Sequence, residues 1–89
     1  MTPSLTVWVI YWNTRDYPGK FVLSAQDVFA GNPEPVTRPL CVVCDSLEAA
    51  RAALPQHQIT EIEGVTYGAE LVRMERMPGD VPEVVETWI

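Results

Sequence analysis

Eighty-nine residues carrying a formal net charge of −6, of which 47% are hydrophobic and 20% charged, make one domain and leave no length for a second. Apolar content at that level offsets the ordering entropy of the chain, so the composition excludes wholesale disorder, while the small size predicts a thin core without room for a large cofactor. The charge is uneven: residues 1–44 balance three acids against three bases, whereas residues 45–89 hold nine acids and only Arg51, Arg73 and Arg76, which disfavours contact with a nucleic-acid backbone or an anionic membrane and favours a partner with a basic surface.

The first element is predicted from Leu5, Val7, Val9 and Tyr11 alternating with Thr6, Trp8, Ile10 and Trp12. Both series are largely apolar and rich in β-branched and aromatic types, the pattern of an interior strand covered on both faces. This apolar stretch is too short to span a bilayer and lacks the basic lead of a signal peptide, so a cytoplasmic protein is expected. Pro18 and Gly19 fit the two central positions of a type II turn, and Phe21, Leu23 and Ala25 alternating with Val22 and Ser24 then predict a returning strand. Pro33, Pro35 and Pro39 cannot donate ladder hydrogen bonds and mark an exposed loop or sheet edge before a third strand at residues 40–44.

Asp45 and Glu48 have the spacing of a capping box for a helix of about two and a half turns, with Leu47, Ala50 and Leu54 on its inner face, Glu48 and Arg51 outward, and Pro55 at its end. Residues 56–68 read as an irregular loop or short strand. Residues 71–77 and 83–89, separated by Pro78, Gly79 and Asp80, predict a last hairpin. The expected architecture is α+β: a mostly antiparallel sheet of four to five strands with one short helix on one face, in the order β-β-β-α-β-β.

Cys41 and Cys44 invite a zinc or redox reading. On a strand, however, positions i and i+3 point to opposite faces and lie about 10 Å apart, so two buried, reduced thiols are expected and neither a metal nor a cofactor. A small thiol-dependent enzyme built on the two cysteines and His57 is the alternative, although His57 has no nearby nucleophile to activate. The acidic pairs Glu61/Glu63 and Glu83/Glu86 have the residue types of two-carboxylate hydrolysis, but such pairs arise readily on solvated faces.

Aromatics carry the stronger signal. Trp12, Arg15 and Tyr17 gather at the first turn and belong to the types that dominate binding hot spots, and Glu61, Glu63 and Tyr67 form a second candidate patch. Several blocks, Ile10 and Tyr11; Asp16, Tyr17 and Pro18 with Phe21 and Val22; Leu47, Glu48, Arg51, Leu54 and Pro55; Pro78, Gly79, Asp80 and Pro82 with Val84, Val85, Glu86 and Trp88, resemble a group of short uncharacterised bacterial and phage proteins. The resemblance implies a shared fold and no defined activity, and between His57 and Glu70 the chain departs from it as if by insertion. The function expected is therefore a small, acidic, non-enzymatic protein-interaction module, in its sharpest form a phage-type inhibitor of a host nucleic-acid-binding defence complex, of the anti-CRISPR kind. A self-associating accessory protein, closing a homodimer through a strand edge or aromatic patch, is the other reading.

Overall fold

The computed structural model describes residues 5–55, 57–75 and 82–89, with backbone alone for 57–62. Strand β1 (Leu5–Trp12) turns back into β2 (Phe21–Val28) in an unbroken antiparallel register from Leu5 opposite Val28 to Trp12 opposite Phe21. The connection is closed by Tyr17, Pro18, Gly19 and Lys20: the Lys20 amide donates to the Tyr17 carbonyl at 3.3 Å, and Gly19 takes the positive φ of 71° that the third turn position demands. Asn13, itself at φ 55°, accepts from the Gly19 amide through Oδ1 at 2.7 Å and fixes the other side of the loop.

Beyond β2 the chain runs along its outer edge twice. β3 (Val36–Thr37) pairs with Asp27 and Gln26, and β4 (Val42–Cys44) pairs with Leu23, Val22 and Phe21. The single third strand expected at residues 40–44 is thus shorter, and a second piece precedes it. Five steps from Thr37 to Val42 oppose only three from Gln26 to Leu23, so two residues are extruded. Pro39 lies in that interruption, where its missing amide costs no ladder bond.

Helix α1 (Leu47–Ala52) follows directly. Its N-cap is Ser46, whose hydroxyl accepts from the Ala49 amide at 3.1 Å. Asp45, expected in that role, instead forms an ion pair with Lys20. A helix this short is not stable alone in water, so its apolar face must be held by the sheet. Ala50 meets Ile10 and Leu23 in the buried core, with Leu47, Leu54, Trp8, Phe21, Cys44, Val85 and Trp88 packed around them. Burial of Ile10 alone stabilises by about 2 kcal/mol.

The segment 56–68, expected to be an irregular loop or short strand, is a hairpin over its described residues from His57 on. β5 (His57–Ile62) and β6 (Val65–Glu70) pair from His57 opposite Glu70 to Ile62 opposite Val65, as a two-stranded sheet of their own that lies against β1 through β5. The two-residue loop is Glu63 and Gly64, both at positive φ (50° and 79°), the conformation whose twist matches a tight hairpin.

β7 (Arg73–Met74) and β8 (Val84–Trp88) are antiparallel, as the last-hairpin expectation required, while its Pro78, Gly79 and Asp80 turn lies outside the described residues. β8 does not stay at an edge: it also pairs with β1, Trp8 opposite Trp88 and Ile10 opposite Glu86, with a bulge before Tyr11 meets Val84. The main sheet therefore runs β3-β2-β1-β8-β7, with β4 sharing the β2 edge. The fold is α+β, a mostly antiparallel sheet with one short helix, and among the described residues its strands are more numerous than expected. β1 lies at the centre with Ile10 buried on the helix side and Val9 on the other, which is why both of its residue series are apolar. Among the described residues no helix is long and apolar enough to cross a membrane.

Candidate interaction surface

At the turn end of the β1–β2 hairpin, Trp12 and Phe21 face one another across the ladder with ring centroids 4.5 Å apart and planes tilted by 40°. That contact fixes the indole yet leaves Trp12 42% exposed, and the loop above it places Tyr17 at 40% and Arg15 in the open. Trp12, Arg15 and Tyr17 are thus gathered at one end of one hairpin. Arg15 forms no ion pair among the described residues, whereas Lys20, Arg38, Arg51 and Arg73 are each held by a carboxylate.

The second group stands on a different sheet. Every residue of β6 is exposed, Val65 and Tyr67 by half or more, and Glu63 is exposed at the hairpin tip. The side chain of Glu61 lies outside the described residues. β-branched and aromatic side chains on a strand normally face a packed layer. Here Val65 and Tyr67 project into solvent with a carboxylate at each end of the strand, Glu63 before it and Glu70 at its close.

Two carboxylate clusters went unrecognised in the sequence, and both lie on the helix face of the sheet. Glu86 is 7% exposed and, among the described residues, accepts four hydrogen bonds: from Arg51 through Nε at 2.9 Å and through its terminal nitrogen, from Arg73 at 3.3 Å, and from the Trp88 indole at 3.2 Å. The Arg51 guanidinium, followed by the Trp88 and Arg73 donors, holds the carboxyl far below the usual range, at about 2, against the opposing effect of burial. Arg51 is exposed as expected, but its guanidinium also reaches from α1 to Glu86 on β8. The Glu83/Glu86 pair is accordingly no two-carboxylate site, since Glu83 is exposed and Glu86 is committed to arginine.

The second cluster ties the β3 edge to β1. Arg38 donates to both oxygens of Asp27 at 2.9 Å, the Thr6 hydroxyl adds a bond at 2.9 Å, and the guanidinium lies 5.4 Å over the Trp8 ring. The Arg38 fork lowers the Asp27 pKa, and Asp27 raises that of Arg38. Asp27 opposite Thr6 in a strand register was the available signal, because a carboxylate on the inner face of a strand needs a partner.

These pairings leave the acid excess on the outside. Asp16, Glu34, Glu63, Glu70, Glu75 and Glu83 are exposed and form no ion pair among the described residues. The cysteines are both free, but only Cys44 is part of the core: Cys41 falls in the extruded residues and is exposed, which corrects the expectation of two buried thiols. Among the described residues no three His, Cys, Asp or Glu side chains are grouped to hold a metal, and the His57 side chain lies outside them. No protein-family model, curated protein or solved structure matches the chain.

Proposed function

We propose that the chain is a non-enzymatic interaction module that docks on a basic protein surface through its two hairpin ends. The observation that carries this reading is strand β6: six consecutive exposed residues on a hairpin outside the main sheet, presenting Tyr67 and Val65 between Glu63 and Glu70. A two-stranded hairpin held to the body only through β5 gains little from packing, so exposed aromatic surface on β6 is a cost that a partner would recover. Trp12, Arg15 and Tyr17 supply a second set of anchors with hot-spot chemistry. Unpaired carboxylates next to these anchors in the chain, Asp16 beside Tyr17 and Glu63 and Glu70 at the two ends of β6, would steer and select a cationic target.

The narrower form of this proposal, on the resemblance to short bacterial and phage proteins, is inhibition of a host nucleic-acid-binding defence complex. An acidic surface would then occupy the ground that phosphates use. Affinity capture from bacterial lysate, repeated with Tyr67→Ala and Trp12→Ala, tests both forms. The expected result is a stoichiometric basic partner whose affinity falls at least about tenfold in each variant. A partner bound equally by all three chains would refute the assignment of the anchors, and a captured protein with no nucleic-acid-binding activity would refute the narrower form.

A further inference from the structure

The main sheet ends in two edges of different character. On one side the chain at β7 exposes Val72 and Met74, but Arg73 and Glu75 are interspersed with them, the usual way in which an edge is kept from pairing. On the other side, between Glu34 and Asp45, the single charged residue is Arg38, and it is neutralised by Asp27. Along that stretch Val36, Leu40, Val42 and Val43 are 48, 84, 46 and 42% exposed. An uncharged, apolar edge on a chain of net charge −6 is an anomaly that solubility does not explain.

A hollow of about 320 Å³ opens beside this stretch, lined by Trp8, Leu23, Ala25, Arg38 and Val42 and, at its rim, by the highly exposed Leu40 itself. The extruded residues create both features at once: they lift Leu40 out of the ladder and leave the space behind it. A projection beside a recess is the self-complementary arrangement that a two-fold interface requires, since each surface must serve as both halves. Charge selects the same occupant. The proposed basic partner would find no carboxylate between Glu34 and Asp45 to meet, whereas a second copy brings none along that stretch to be repelled.

We infer that the β3/β4 edge is a homodimer interface, in which Leu40 of each copy enters the Trp8 hollow of the other and the two β4 strands run antiparallel across the axis. This goes beyond the proposed hairpin surface and does not depend on it. Light scattering on the full chain, from micromolar to millimolar, is expected to show the mass rising to twice that of the monomer and no further. Leu40→Glu, which places two carboxylates in the apolar contact, is expected to raise the dimer dissociation constant about a hundredfold. Because Leu40 is exposed, the substitution leaves the core intact, and an unchanged circular dichroism spectrum verifies this. Val43→Lys gives a second disruption by the means natural edges use, and Tyr67→Ala on the separate hairpin is expected to dimerise normally. A mass that stays monomeric throughout, one that grows past the dimer, or a dimer indifferent to both edge substitutions overturns the inference.

Discussion

Glu86 shows how a single buried charge can join three elements. Its carboxylate lies on β8, Arg51 comes from α1 and Arg73 from β7, so the interaction exists only when the helix and the last hairpin are both in place. The fall of its pKa from 4.5 to about 2 corresponds to about 3 kcal/mol of folding free energy. Solvent reaching the half-exposed arginines reduces this to roughly 2 kcal/mol. A depressed folded-state pKa contributes stability in full above the unfolded value of 4.5 and loses it as the pH falls through about 2. Chemical denaturation of Glu86→Gln at neutral pH is therefore expected to show a loss of about 2 kcal/mol, because Arg51 and Arg73 lose their counter-ion. Between pH 4.5 and 2 the variant should also lose less stability than the parent, and parallel acid limbs for the two proteins would show that the carboxylate is not the group responsible.

At the scale of elements, the parts readable from sequence are those in which a strong period coincides with an unambiguous turn. β1 and β2 are apolar on the expected positions and joined by Pro18 and Gly19, and Leu47 and Ala50 of α1, with Leu54 just past its end, pack on the core as their spacing requires. The helix start was misplaced by one residue because Asp45 and Ser46 are both good caps, and the pull of Lys20 on Asp45 is a tertiary fact. Ser46→Ala is accordingly expected to destabilise the protein by about 1 kcal/mol, measurable as a shift in denaturation midpoint, whereas Asp45→Ala, removing an exposed pair, should shift the midpoint less than Ser46→Ala does. The β5–β6 hairpin was missed because its loop pairs Gly64 with Glu63, a residue that seldom adopts positive φ. Since this hairpin forms its own sheet, it should open independently of the core. Hydrogen exchange is expected to be faster along β5 and β6 than along β1 and β2, and Gly64→Ala, strained at φ 79°, should accelerate the hairpin alone. A uniform rise in exchange across both sheets would mean that they unfold as one unit.

Over the whole molecule, the candidate surface was legible as residue types but not as geometry. Trp12, Arg15 and Tyr17 are neighbours in sequence and remain so in space, whereas which acids stay free depends on Glu86, Asp27 and Asp45 engaging the cations, and only the fold decides that. The outcome is a body with an acidic exterior and one uncharged edge, and its two proposed contacts respond to salt in opposite senses. Capture of a basic partner relies on attraction between unlike charges, so screening weakens it, chiefly by slowing association. Docking of two copies buries apolar side chains while bringing two charges of −6 together, so screening relieves a repulsion. Raising salt from about 10 mM to 150 mM, which shortens the screening length from roughly 30 to 8 Å, is expected to lower the homodimer dissociation constant and to raise that of the hairpin partner. Light scattering follows the first and surface-immobilised binding kinetics the second. If both constants moved in the same direction, the free carboxylates would not be partitioned between the two surfaces as the ion pairs imply, and one of the two contacts would have to lie elsewhere on the molecule.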